Sequence, residues 1–367
     1  MRILHINPYS DNKLYDNLYE LQCKQYDIDV VVPMNKKFEG VVEPFGFKKD
    51  LAFVFNDYDR FFYYKKQNKI LEYIEQNYDL YKYDLIHAHT LFSSGYIAYR
   101  LSQKYNIPYI VNIQNTDVNL FFKKMRWLRG VGNEVLNCAK LNVYISFAYK
   151  MRVESEFIFD QYRSRIIRNS QVIPYGIDEF WYQNMGPMKK LNATKPIKLL
   201  TVGDISSNKN QKFVLRICNE MIKKGYKVEY NVVGRVKDKK IFNKLCREKY
   251  VNYLGWNEKE ALLNIYRNND IFILLSKTET FGLVYAEALT QCLPILYTRG
   301  EGFDSQVREG VVGYPITAGD LDEAISRLEM VLKSYEKLSD NTVEVVEKFK
   351  WNNIETYYSE IYLRSLR

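Results

Sequence analysis

The feature that most constrains this chain is a rhythm. Short runs rich in Ile, Val and Leu recur along it, each followed by a longer stretch of helical character. They fall at residues 2–6, 28–33, 84–88, 108–113, 141–146 and 171–174, and after an interval at 197–202, 228–233, 251–254, 271–275 and 293–297. Short β-branched runs separated by helices read as parallel strands joined by crossovers, in sheets covered on both faces. Two series of them imply two doubly wound α/β domains. The 367 residues also exceed the length at which one hydrophobic core usually keeps growing.

The interval from 177 to 196 contains Gly186, Pro187 and Pro196 among polar residues and has weak periodicity, which places an interdomain linker there. The expected division is a first Rossmann-like domain at 1–180, a linker at 181–196, a second Rossmann-like domain at 197–345 and a terminal helix at 346–367. Val346, Phe349, Ile354, Tyr358, Ile361 and Leu366 carry the helical spacing of that last segment.

Hydrophobic residues make up 47% and charged residues 26%, the balance of a globular chain. No apolar run reaches 18 residues, and the chain enters a strand at once, so neither a membrane span nor a signal peptide is expected and the protein is placed in the cytoplasm. Cys23, Cys138, Cys218, Cys246 and Cys292 form no Cys-x-x-Cys pair and are expected as buried thiols rather than a disulfide framework or zinc site. Of the +9 formal charge, residues 1–196 hold 27 Lys and Arg against 21 Asp and Glu. That excess suits an acidic membrane surface or an anionic acceptor; a nucleic-acid binder would concentrate its charge more strongly.

The chemistry lies after the run at 271–275, in Ser276-Lys277-Thr278-Glu279-Thr280-Phe281-Gly282-Leu283-Val284-Tyr285-Ala286-Glu287. Ligands of an open α/β sheet bind at the carboxyl ends of its strands. Gly282 lets the backbone come close, and the amides of Leu283 and Val284 at a helix start would face an anion such as a diphosphate. Glu279 and Glu287 offer two carboxylates to sugar hydroxyls. Taken singly, Glu279 reads as a helix-start carboxylate, Glu287 as a solvated helix residue and Lys209 as an exposed lysine.

Together they resemble the Glu-x7-Glu motif of family 4 glycosyltransferases, which have the GT-B fold of two facing Rossmann-like domains. The resemblance extends in order through Asp84-Leu85-Ile86-His87-Ala88-His89, Val172-Ile173-Pro174-Tyr175-Gly176-Ile177-Asp178, Val202-Gly203 with Lys209-Asn210-Gln211, Val233-Gly234, Leu254-Gly255 and Phe349-Lys350-Trp351. It implies that Glu287 binds the ribose hydroxyls of the nucleotide, that Glu279 contacts the donor sugar near the reacting carbon, and that Lys209 neutralises the diphosphate. Phe281, Gly282, Leu283, Val284, Gly203 and Arg235 would complete the donor side. Gln114 and Asn115 would serve the acceptor side.

The chain departs from the family pattern in several places. Asp204 stands where an Arg is frequent, leaving Arg235 and Arg299 as replacement cations. Gln114 stands where a His is usual, and an amide carries no proton. The loop Asn7-Pro8-Tyr9-Ser10-Asp11-Asn12 lacks glycine, and Cys292 replaces one. Of the three histidines, His89 is expected at a strand end facing the cleft with a catalytic role, while His87 is assigned to the opposite face and a structural one.

The expected protein is a retaining, metal-independent glycosyltransferase that needs no cofactor. It takes a UDP- or GDP-sugar as donor and a glycan or lipid-linked acceptor, in bacterial cell-surface polysaccharide synthesis. The alternative is a non-catalytic relative that binds nucleotide sugar or a partner enzyme; a nucleotide-sugar epimerase is a third option. Asp57-Tyr58-Asp59 and Asp27-Ile28-Asp29 fit the letters of a metal-binding triplet but lack further hard ligands. No Gly-x-Gly-x-x-Gly turn supports a dehydrogenase. Residues 120–129 carry four cations, three large aromatics and no acid, which predicts weak contact with a membrane surface.

Overall fold

The computed structural model describes residues 1–9, 14–37, 48–192 and 194–366. It divides into two compact units. The first comprises Met1–Ile145, Tyr149–Pro174 and the segment from Trp351 onward; the second comprises Ser146–Ala148 and Tyr175–Lys350.

The first unit is built on β1 (Arg2–Ile6), β2 (Asp27–Asn35), β3 (Lys48–Phe55), β4 (Leu85–Ala88), β5 (Tyr109–Ile113), β6 (Leu141–Tyr144) and β7 (Ser170–Val172). They pair in parallel in the order β3-β2-β1-β4-β5-β6-β7. The second holds β8 (Ile197–Val202), β9 (Val228–Val233), β10 (Val251–Tyr253), β11 (Ile271–Leu274), β12 (Ile295–Thr298) and β13 (Gly313–Ile316). Its order is β10-β9-β8-β11-β12-β13, again parallel throughout. Central strands such as β4, β5 and β11 are buried at every residue, as expected of sheets covered by helices on both faces.

All eleven expected strands exist, with boundaries shifted by a residue or two, and two more were hidden. β3 opens Lys-Lys-Asp, and β13 is only four residues long with Pro315 inside it. Both lie at sheet edges, where charge and proline are tolerated.

The chain passes from the first unit to the second at Pro174/Tyr175, so the stretch expected as a linker belongs to the second unit. Its polar residues are held in place. Asp178 caps the helix Glu179–Gln183 by accepting from the Phe180 amide at 2.9 Å. Arg267 and Gln291 both donate to the Asn184 carbonyl at 2.9 Å, and the Gly186 amide donates to Thr290 at 2.8 Å.

The terminal helix also differs from expectation. The helix Tyr335–Val345 and a short 3-10 turn at Val346–Phe349 come first; Lys350 is extended, and a separate helix Trp351–Ser365 packs on the first unit. Tyr362 Oη lies 2.7 Å from His87 Nδ1 and accepts from Gln22 Nε2 at 2.9 Å, while Asn112 Nδ2 donates to Tyr358 Oη at 3.0 Å.

The cysteines are all free, but only Cys218 and Cys292 are buried; Cys23, Cys138 and Cys246 are exposed. Cys292 has φ of 57°, a left-handed conformation that accounts for the glycine usual at this place. Among the described residues, no helix is long and apolar enough to cross a membrane.

Candidate active site

In a doubly wound sheet the ligand crevice opens where the strand order reverses. In the second sheet that point lies between β8 and β11, and most of the residues expected on the donor side follow these strands. β8 leads through Gly203 to Lys209, and β11 leads through Ser276 to Glu279. Asn208 stitches the two loops together. Its side chain accepts from the Thr278 amide at 3.1 Å and donates to the Thr278 carbonyl at 3.0 Å, and its own carbonyl accepts from Lys277 N at 2.8 Å. This brings Lys209 Nζ to 2.6 Å from Glu279 Oε2, which also accepts from Ser276 Oγ at 3.1 Å. The lysine side chain keeps 22% of its surface and the glutamate 14%, so an incoming ligand can reach the pair.

The backbone of Glu279 is held from the other side. Its amide donates to Glu301 Oε2 at 2.8 Å, and its carbonyl accepts from the Gly302 amide at 2.8 Å. A Cβ on Gly302 would stand 2.3 Å from the Thr280 backbone, so this close approach requires glycine. Gly282 is required for a different reason: its φ is 79°, and a Cβ there would meet the Tyr285 ring at 2.6 Å. Gly282 caps the helix Leu283–Thr290 with no side chain of its own, so the amides of Leu283 and Val284 lack an intrahelical acceptor and present the positive end of the helix dipole.

Glu287, one turn into this helix, is part-buried and accepts from Tyr266 Oη at 3.0 Å. Burial pushes its carboxyl up to about 7; the tyrosine hydrogen bond pulls against that shift, and nearby Asp178 adds to it. Phe281 is 1% exposed and packs against Tyr175, Phe303 and Phe349. Its side chain therefore supports the loop from beneath, which corrects its expected place on the ligand-facing surface. Of the two replacement cations, Arg299 is engaged with Glu323 at 2.9 Å and Glu309 at 3.5 Å. Arg235, after β9, is exposed and lies over the Trp256 ring at 4.9 Å.

The sheet of the first unit reverses between β1 and β4, and there the three histidines meet. His5 Nδ1 and Tyr19 Oη each lie 3.1 Å from His89 Nε2. Tyr19 Oη also accepts from Asn7 Nδ2 at 3.0 Å. The rings of His87 and His89 stack with centroids 4.0 Å apart. They share one face, as the period of two in a strand requires, and His87 does not point away from His89. All three are fully buried, and burial lowers each from the ordinary histidine range. His89 is thus an enclosed neutral ring and not a proton carrier open to a cleft.

Gln114 is also interior, donating to Tyr15 Oη at 2.9 Å, whereas Asn115 is half-buried and accepts from Asn119 at 2.9 Å. Asp57 and Asp59 form no paired metal site. Asp59 caps a 3-10 turn through the Asn56 amide and pairs with Lys69 at 2.7 Å. Positions 10–12 of the glycine-free loop lie outside the described residues.

Two family models match the sequence: Glycosyltransferase Family 4 over residues 14–179, and Glycosyl transferases group 1 over residues 187–348. The chain belongs to glycosyltransferase family 4. It is similar to alpha-monoglucosyldiacylglycerol synthase of Acholeplasma laidlawii, 26% identical over 250 residues, a match spanning 63% of each chain. Its fold resembles sucrose-phosphate synthase from Thermosynechococcus elongatus, with a TM-score of 0.74 at 16% identity over 99% of this chain and 98% of the other. A second fold neighbour is the Anabaena protein HepE, solved with UDP-glucose, with a TM-score of 0.66 at 15% identity over 98% of both chains. The GT-B fold is therefore present, with the terminal helix as its last element.

Two residues of this glycosyltransferase's site were missed from sequence. Asn208 carried a signal, because an Asn beside Lys209 in a loop is a natural backbone bridge. Glu301 carried none, since its partner is a backbone amide 22 residues away.

Proposed function

We propose that this glycosyltransferase is a retaining, metal-independent enzyme that moves a sugar from a nucleotide-sugar donor, UDP- or GDP-linked, to a glycan or lipid-linked acceptor. The setting is the cytoplasm, in bacterial cell-surface polysaccharide synthesis, with weak contact to a membrane surface through residues 120–129. The observation that carries the reading is the Lys209–Glu279 pair at the switch point of the second sheet, beside an uncapped helix start. A donor diphosphate takes Lys209 from Glu279 and gains the amides of Leu283 and Val284, with Arg235 as a further cation. Glu279, released, faces the sugar, and Glu287 accepts from the ribose hydroxyls.

As the bond from the sugar carbon to the diphosphate breaks, its electron pair passes to the leaving oxygen. Lys209 stabilises that growing negative charge more than it stabilises the ground state, which is the condition for raising turnover. Glu279 faces the positive charge that develops on the sugar. The acceptor oxygen forms the new bond. Its proton goes to the departing phosphate, because burial encloses His89 and makes it a weak base. Lysine and helix start supply the positive charge that a metal ion would otherwise bring.

A thermal-shift screen over UDP-, GDP- and ADP-sugars identifies the donor, and transfer is then measured with and without EDTA, with the product anomer read by NMR. Transfer abolished by EDTA, or a product of inverted configuration, would overturn the corresponding part of this assignment.

A further inference from the structure

The first unit carries an exposed aromatic surface that none of the chemistry above uses. Two segments far apart in sequence build it. Both follow carboxyl ends of strands of one parallel sheet, 57–66 after β3 and 117–128 after β5. The rings join them: Trp127 lies 6.1 Å from both Tyr63 and Tyr64, and Tyr63 lies 6.2 Å from Phe121. Tyr63 is itself anchored by donating to the Phe92 carbonyl at 2.8 Å. Around this anchor the large side chains face solvent, with Phe61 83%, Tyr58 65% and Trp127 60% exposed, and Phe62, Tyr64 and Leu120 exposed as well.

A contiguous apolar surface of this kind marks an interaction site. Its charge names the partner. Arg60, Lys65, Lys123, Lys124 and Arg126 are exposed among these rings, and Lys66 lies 4.2 Å over the Phe55 ring. Residues 60–71 and 118–129 contain no acid; of the acids at the edges of the two segments, Asp59 and Asp117 are buried, and exposed Asp57 lies 3.9 Å from Lys37. Tyr and Trp with exposed Phe suit the boundary between headgroups and acyl chains, and interspersed Lys and Arg suit anionic headgroups.

We infer that this composite surface, and not the 120–129 segment alone, seats the first unit on an anionic lipid bilayer, with Phe61 and Trp127 entering the interface. The bilayer then lies at the end of the sheet where α/β folds take their ligands, which favours a lipid-borne acceptor. The binding deepens the membrane contact proposed above for residues 120–129, and the consequence for the acceptor rests on the proposed transfer; vesicle binding is measured independently of that transfer.

The test is co-sedimentation of the full chain with vesicles of phosphatidylglycerol and phosphatidylcholine in equal parts, and with phosphatidylcholine alone. We expect at least tenfold tighter binding to the anionic vesicles, weakening with salt. Phe61→Ser with Trp127→Ser should lose at least tenfold, and Lys123→Glu with Arg126→Glu should lose the salt-sensitive part. All these side chains are exposed, so the variants should fold, and thermal stabilisation by UDP or GDP serves as the control. Equal sedimentation of parent and variants would overturn the inference. So would a parent that ignores both vesicles but binds soluble oligosaccharides through Trp127, which would make the surface a glycan platform. Failure of every nucleotide to stabilise the parent would count against the donor site and leave the vesicle result standing.

Discussion

Glu301 accepts the backbone amide of Glu279 at 2.8 Å, while the adjacent Gly302 amide donates to the Glu279 carbonyl at the same distance. The loop carrying Glu279 is gripped on both edges of one residue, which leaves its carboxylate to Lys209 and Ser276. Glu301 is thereby a positioning residue. Glu301→Ala should lower turnover by about 10- to 100-fold through misplacement of Glu279, with little change in the donor's Michaelis constant. Glu301→Gln keeps an accepting oxygen and should recover most of the loss. If Gln proves as damaging as Ala, charge and not position is what Glu301 supplies.

The two glutamates of the donor side should fail differently. On the proposed assignment Glu287→Ala removes a contact to a ribose that changes little during reaction, so about 1.5 to 3 kcal/mol should be lost in the donor's Michaelis constant. Glu279→Ala should instead cost on the order of 3 kcal/mol in turnover while nucleoside diphosphate still binds. It also strips Lys209 of its partner, so nucleoside diphosphate should bind Glu279→Ala at least as tightly as the parent. Steady-state kinetics and calorimetry on folded variants decide this. Near-normal turnover of Glu279→Ala would reduce that residue to a loop support.

With Glu287 in the proposed donor site, donor binding should depend on pH. Its folded value is raised to about 7 from 4.5. Its stability contribution is therefore fully present below pH 4.5 and lost as pH rises through about 7. Donor binding runs the other way, because ribose hydroxyls are accepted best by the carboxylate. UDP affinity should fall as pH drops from 8 to 6, and Glu287→Gln should flatten that dependence while raising stability at pH 8 and not at pH 4. A parallel slope in parent and Gln variant would assign the effect to the phosphates of the ligand.

How much of this was legible in the sequence differs by residue. β8 and β11 are readable because buried parallel strands are near-continuous apolar runs, and the carboxyl end of β11 leads to Glu279, whereas Lys209 comes from the family resemblance. β3 and β13 are not readable, because edge strands tolerate Lys, Asp and Pro. The stretch after Ile177 looked like a linker because its polar residues satisfy backbone groups, a use invisible without the partners Arg267 and Gln291. Phe281 was placed on the ligand side from its neighbours in the motif, yet a side chain's direction in a loop depends on packing that only Phe303 and Phe349 reveal. The assignment of His87 to the face opposite His89 fails because residues two apart on a strand share one face, and the two rings stack. The family resemblance supplied roles for side chains but could not show that His89 is enclosed.

The buried histidines give the first unit the opposite response to pH. His5, His87 and His89 are held below their ordinary value of 6.5, His87 at about 3, chiefly by burial. A folded value below the unfolded one means that the unfolded chain takes up protons that the folded chain cannot, so stability present above pH 6.5 is lost as pH falls. The three add to this dependence with the same sign. Asp117, buried and raised to about 6 from 3.8, works against this in the interval between those values and offsets about one of the three. A net loss of stability of the first unit as pH falls toward 5 is thus the expectation. Hydrogen exchange measured by mass spectrometry at pH 7.5 and 5.5, corrected for intrinsic rates, reads each unit separately. Amides of β1, β4 and β5 should lose protection at the lower pH while those of β8 and β11 keep theirs. Unchanged protection in β1 and β4 would mean that the cluster accepts protons without opening, and would return His89 to the set of groups able to carry one.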